Sequence, residues 1–246
     1  MFEEDFRRIR ALSEKMGCFS WTSLKYQDDV LRYLSENRDR GNGVIEVGCY
    51  KGGLSALLAH ICKQFEWPFY TIDIDPTAVQ STNELLSALS LRDGASIHHG
   101  NLSSFVKETK LKQAPALIIL DGDHRYAAVV EDIANTYRLN HRPASAAFHD
   151  YSLRHPTSGE RVDQAVRDSF GEWPVRHIGA QMVGQGEYPT EGKPAEDGHW
   201  WEVPGSEGAI VELPPKINRI SIEKGASVSQ PKRSFLGRLL RGLHVR

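Results

Sequence analysis

The sequence predicts a doubly wound α/β protein: a mostly parallel seven-stranded sheet with helices on both faces and an antiparallel last strand. Three observations carry this. Short apolar runs of strand length alternate five times with longer stretches of helical periodicity. The residues Val44-Ile45-Glu46-Val47 run into a glycine-punctuated turn, Gly48 to Gly53, and then into a helical stretch whose Leu54, Leu57, Leu58 and Ile61 share one face. About 20 residues further on, the run 69–75 reads as a second strand ending in acid, where a doubly wound fold holds a ribose.

Phe2, Phe6, Ile9 and Leu12 recur at helical spacing, and residues 26–37 repeat the pattern with Val30, Leu31 and Leu34 before Gly41 and Gly43 stop it. Residues 1–40 therefore read as a helical cap over the sheet, serving either as one wall of a substrate site or simply as core. Asp75 before Pro76 is an N-cap followed by proline at the first helical position, and Val79, Leu85, Leu86 and Leu89 follow on one side. Residues 94–98 make a third strand and 102–110 a short helix. The apolar run 116–120 is too short for a helix and ends at Asp121-Gly122-Asp123-His124. A helix over 126–139 leads to a strand over 144–148, which ends at His149-Asp150-Tyr151.

A short helix over 161–170 and strands over 175–183 and 209–213 complete the body. Residues 184–208, with His199-Trp200-Trp201, are too long for a tight hairpin. They read either as a lid over a substrate or as a loop docked through its tryptophans. The organisation is thus a cap over 1–40, a domain over 41–214 and a basic tail over 215–246. Within the tail, residues 235–243 set apolar groups opposite arginines, as in a membrane-surface or partner-binding helix.

At 246 residues the chain can build a core that needs no disulfide or structural metal. Cys18, Cys49 and Cys62 have neither an even count nor zinc-site spacing, so a reducing compartment and no zinc site are expected. The acidic first residues are unlike a signal peptide and no apolar run spans a bilayer, so a cytoplasmic location is expected. The net charge of -2 conceals a tail with eight Lys or Arg against the single acid Glu223, leaving 22 basic against 31 acidic residues elsewhere. A body with that balance is a poor general binder of nucleic acid.

Four polar clusters fall at the carboxyl ends of strands: the glycine turn, Asp73, the 121–124 cluster, and His149-Asp150. A parallel sheet brings such positions to one cleft. The turn reads Glu46-x-Gly48-x-x-x-Gly52, which differs from the Gly-x-Gly-x-x-Gly of dinucleotide enzymes. That spacing tells against a nicotinamide-dependent oxidoreductase, the runner-up; a catalytically silent binding protein stands third.

Over residues 44–170 the sequence resembles the class I S-adenosylmethionine-dependent methyltransferases, with their Rossmann-like sheet. Residues 46–55 look like that family's first motif and Thr71-Ile72-Asp73-Ile74 like its second. The resemblance implies that Glu46, Gly48 and Gly52, with Tyr50 in the same turn, shape the pocket for the methionine part of the cofactor. It likewise implies Asp73 on the ribose hydroxyls, the Gly100-Asn101-Leu102 turn beside the adenine, and Asp121 on the cofactor side of the cleft. A carboxylate suits the ribose because it accepts from both hydroxyls.

Residues 121–126 followed by 149–151 are similar to the metal-dependent sugar O-methyltransferases of the macrocin O-methyltransferase-like branch and, more remotely, to catechol O-methyltransferase. This implies Mg²⁺ or another divalent metal on Asp121, His149 and Asp150, gripping two neighbouring substrate oxygens. His149 departs from the Asp or Glu usual there, and an imidazole favours a softer transition metal. The implied reaction is methyl transfer to a sugar or other natural-product hydroxyl, with Asp123 the first choice of base and His124 and His149 the alternatives. No nucleic-acid partner is expected, a homo-oligomer is, and the basic tail offers peripheral membrane or partner contact.

Overall fold

The computed structural model describes residues 3–218; Phe2 and the 235–243 segment lie outside the described residues. Two helices come first, α1 (Glu3–Lys15) and α2 (Leu24–Glu36), the second capped by Ser23, whose side chain accepts from the Tyr26 amide. The strand–helix alternation follows: β1 (Val44–Val47), α3 (Gly53–Gln64), β2 (Phe69–Asp73), α4 (Pro76–Ala88), β3 (Ala95–His99), α5 (Leu102–Glu108), β4 (Leu117–Leu120), α6 (Tyr126–Thr136) and β5 (Ser145–Phe148). The chain closes with β6 (Leu153–Arg154), α7 (Val162–Phe170), β7 (Val175–Met182), β8 (Trp200–Trp201) and β9 (Gly205–Glu212).

Seven strands form one sheet in the order β3-β2-β1-β4-β5-β9-β7. The first five are parallel, and β9 runs antiparallel to both β5 and β7, as the sequence predicts. Strand order reverses between β1 and β4, where Val47 pairs with Leu120, so the two strands open a crevice at their carboxyl ends. Both strands are buried along their whole length because both faces are covered, and Glu46 is the one polar residue in them.

Alternate residues feed two cores. Val44, Phe69, Leu117 and Ile119 meet Ile9, Tyr26, Leu34 and Leu57 on one face. Ile45, Ile72, Ile118 and Phe148 meet Phe105, Val130, Ile133 and Val166 on the other. The N-terminal helices therefore share the sheet's own core. Gly208 makes this possible in β9, since a Cβ there would lie 2.3 Å from the Tyr26 ring.

Several boundaries move. The second strand stops at Asp73 because Asp75 leaves it to cap α4, accepting from the Thr77 amide at 2.8 Å. The helix expected over 126–139 ends at Thr136, and beyond it the Asn140 side chain pairs with the Leu111 backbone at 3.0 and 2.8 Å. The expected third strand starts one residue late, after a 3₁₀ turn over Arg92–Gly94. The long 184–208 connection docks through its tryptophans, β8 pairing antiparallel with β6. All three cysteines are free and buried. Among the described residues no helix is long and apolar enough to cross a membrane.

Candidate active site

The carboxyl ends of β1, β2, β4 and β5 and the turn after β3 surround one cavity of about 560 Å³. Glu46, Gly48, Tyr50, Asp73, Gly100, Asn101, Leu102, Asp121, Asp123, His124, His149 and Asp150 all line it. Of the residues singled out in the sequence, only Gly52 stands off the lining. It packs α3 on α4 instead, with a left-handed φ of +86° and a Cβ position 2.9 Å from Thr82 Cα.

Close packing shapes the first turn. Gly48 has φ +92°, and a Cβ there would lie 2.1 Å from the Asp121 carbonyl oxygen, so only glycine lets β1 and β4 end side by side. Asp73 holds the turn from β2: its Oδ2 accepts from the Cys49 amide at 2.9 Å and the Tyr50 amide at 3.1 Å, and its Oδ1 from the Asp75 amide at 2.9 Å. Asn101 caps α5 through a reciprocal pair with Ser104, which fixes the Gly100–Leu102 turn.

Glu46 is fully buried on β1. Its Oε2 accepts from Ser55 Oγ at 2.5 Å and Thr71 Oγ1 at 2.7 Å, while Oε1 is buried without a partner. Burial pushes its carboxyl up to about 8 against the two hydroxyl donors. An orphaned buried oxygen on the wall of a ligand-sized cavity is a group awaiting a hydrogen-bond partner.

Across the cavity, acids and imidazoles interlock. His149 Nδ1 stands 2.8 Å from Asp121 Oδ1 and 3.4 Å from Asp150 Oδ1, but out of line for a hydrogen bond to either. His124 lies 3.3 Å from Asp121 through Nε2 and 3.3 Å from Asp150 through Nδ1. The far nitrogen of His149, Nε2, faces Glu207 Oε1 at 3.4 Å. Burial alone would lower the His149 pKa, but Asp121 and Asp150 raise it well above the usual histidine value; His124 is raised by the same two acids. Burial would raise the Asp121 carboxyl, but His149 and His124 bring it down to about 2.

Two expectations from the sequence meet a different local geometry. Asp123, the first choice of base, is held by Arg125: the guanidinium Nε is 2.9 Å from both carboxylate oxygens and the Arg125 amide is 3.0 Å from Oδ1. Burial works the other way, yet these bonds keep the Asp123 carboxyl below its ordinary value and make it a poor proton acceptor. The expected metal set was Asp121, His149 and Asp150. The donor atoms that converge within 4.8 Å belong to Asp121, His124 and His149, with Asp150 beside both histidines.

Sequence reasoning missed Glu207 and Trp21. Glu207 comes from β9, is buried, and also accepts from the Ser23 amide and hydroxyl and from the Ala180 amide. In the sequence it falls within the 184–208 connection, where a single acid carries no signal. Trp21 lines the cavity from the segment before α2.

Residues 45–151 match the family model of a methyltransferase domain. The match covers less than half of the chain, and the fold around it is the Rossmann-like methyltransferase fold of the similar solved structures. Similar solved structures include cofactor-bound Rv0187 from MTB, with TM-score 0.54 and 15% identity over 85% of this chain and 88% of that one. The O-methyltransferase TomG from Streptomyces achromogenes, solved with SAM and involved in tomaymycin synthesis, gives 0.53 and 15% over 86% and 91%. An O-methyltransferase from Bacillus cereus in complex with SAH gives 0.52 and 14% over 85% and 90%. No curated protein sequence matches the chain significantly.

Proposed function

We propose that this protein transfers a methyl group from S-adenosylmethionine to a hydroxyl oxygen of a sugar or other small molecule, assisted by a divalent metal. One observation carries the reading: two imidazoles and two carboxylates converge on the same cavity as the glycine turn and Asp73. The cavity's chemistry suits a cationic cofactor. Eight acids line it, Glu46, Asp73, Asp75, Asp121, Asp123, Glu131, Asp132 and Asp150, with no lysine or arginine among the described lining residues. The unpartnered Glu46 Oε1 suits the methionine end, and Asp73 the ribose, whose hydroxyls can reach the lone pairs its backbone donors leave open. Gly100, Asn101 and Leu102 border the adenine.

S-adenosylmethionine supplies an activated methyl group whose departure leaves a neutral thioether, so this reaction demands alignment and removal of one proton. The site fits a metal of borderline softness, held by Asp121, His124 and His149, better than it fits Mg²⁺, because two of three donors are imidazoles. A divalent ion there would make a hydroxyl far easier to deprotonate. Asp150, beside both histidines, orients them. Where no metal occupies the two histidines, we assign proton acceptance to His149 or His124 rather than to Asp123, which Arg125 occupies.

A second, metal-free reading draws on the facing carboxylates: each nitrogen of both rings lies within 3.4 Å of an acid. In that reading the acids and imidazoles pair only with one another, and an imidazole in its neutral form receives the proton. Methyl transfer to a panel of glycosides and catechols, measured with Fe²⁺, Co²⁺ or Ni²⁺, with Mg²⁺ and with chelator, separates the two. Turnover that needs an added divalent ion and is lost in His124→Gln supports the metal. Turnover indifferent to chelator rejects it. No transfer to any acceptor, together with no binding of S-adenosylmethionine, rejects the function.

A further inference from the structure

Exposed aromatic side chains gather where the chain enters α2. Trp21 is 75% exposed, Phe19 42% and Tyr50 37%. Their ring centroids lie 5.6 to 6.1 Å apart, edge-on for Phe19 against the other two and tilted for Trp21 against Tyr50. This exposure is built in. The Phe19–Ser20 backbone presses on the start of α3, where a Cβ on Gly53 would lie 2.6 Å from the Ser20 amide. Ser20 and Thr22 share a hydroxyl bond of 2.8 Å, and Ser23 is tied to Glu207 at 2.7 Å. The Lys51 ammonium lies 4.4 Å from the Phe19 ring centroid, whereas no cation–π partner of Trp21 is found among the described residues. Trp21 lines the same cavity as Asp121, His124, His149 and Asp150.

We propose that Trp21, buttressed by Phe19 and Tyr50, is the platform on which the acceptor lies, and that the acceptor is a flat-faced ring without negative charge. The proposal rests on the methyl-transfer reading and names its substrate class. A tryptophan pinned in water beside a polar cleft gains from covering its face with apolar C–H or π surface. The cleft beneath it asks for hydroxyls at the ring's edge. An acceptor carrying phosphate or carboxylate would bring its charge among eight acids, a like-charge encounter that costs affinity. A pyranose and an aryl diol share the required chemistry, one flat face with adjacent edge hydroxyls, and an open-chain polyol lacks the face.

The test is binding, with S-adenosylhomocysteine saturating, of methyl β-D-glucopyranoside, catechol, glycerol and UDP-glucose to the wild type, Trp21→Ala and Trp21→Phe. At least one ring probe should bind, about tenfold more weakly to Trp21→Ala and nearly normally to Trp21→Phe, the scale of one stacking contact. Glycerol and UDP-glucose should bind more weakly than that ring, and S-adenosylhomocysteine affinity should stay within about twofold. Which ring binds better separates a glycosyl from an aryl acceptor. The proposal is overturned if Trp21→Ala leaves ring affinity unchanged, if glycerol or UDP-glucose equals the ring, or if neither ring binds. It is also overturned if cofactor affinity falls in step with ring affinity, which would place Trp21 on the cofactor. Wild-type protein that fails to bind S-adenosylhomocysteine at the outset rejects the methyl-transfer reading itself.

Discussion

Enclosed between Ser55 and Thr71, Glu46 keeps its proton up to a pH of about 8, against 4.5 when unfolded. Between those values the folded chain holds a proton that the unfolded chain has released. Stability from this residue is therefore complete below the unfolded value, falls by at most about 1.4 kcal/mol per pH unit as pH rises, and levels off above the folded value. Glu46→Gln should flatten that slope in urea unfolding between pH 5 and 8; parallel slopes for variant and wild type would contradict the burial argument. The histidines give a second contrast. His149→Gln should cut turnover at least about 100-fold, as loss of a metal ligand or of a positioned base does, while Asp123→Asn should change it no more than about threefold. Kinetics with the best acceptor of the panel decide this, and the reverse ranking would restore Asp123 as base. At this scale the sequence was informative wherever chemistry sits at a strand end, as with Asp73, Asp121 and His149. It was silent on Glu207, whose bonded partner Ser23 is 184 residues away and leaves no local pattern.

The elements were legible where helical or strand periodicity is unbroken, and less so where a side chain decides the end. Asn140 and Asp75 terminate or start elements by hydrogen bonds that periodicity does not register. Residues 184–208 read equally as lid or docked loop because the two-residue pairing of β6 with β8 is too short to show in a hydrophobic pattern. The β1–α3 turn is the element on which the site depends. Gly48→Ala would force a methyl group to within 2.1 Å of the Asp121 carbonyl and strain a φ of +92°. A loss on the order of 3 kcal/mol in unfolding free energy is expected, from clash and left-handed strain together. A loss below about 0.5 kcal/mol would show that β1 and β4 are not locked end to end as described.

For the whole molecule, the cap over residues 1–40 is inseparable from the domain. Ile9, Tyr26, Val30 and Leu34 are nearly or completely buried within the core on one sheet face. A chain beginning at residue 41 should lose its cooperative thermal transition in circular dichroism, because an apolar sheet face would stand in water; a folded, cooperative fragment would show the cap to be an accessory. The same helices lead into Trp21, so the part of the chain that completes the core also borders the cavity. The account turns on what that acidic cavity binds, and isothermal titration of S-adenosylhomocysteine into wild type and Asp73→Ala tests it most directly. We predict one site per chain in the wild type and affinity at least about tenfold weaker in the variant, since the carboxylate proposed to meet the ribose is removed. No binding to the wild type, or equal binding to both proteins, would contradict it.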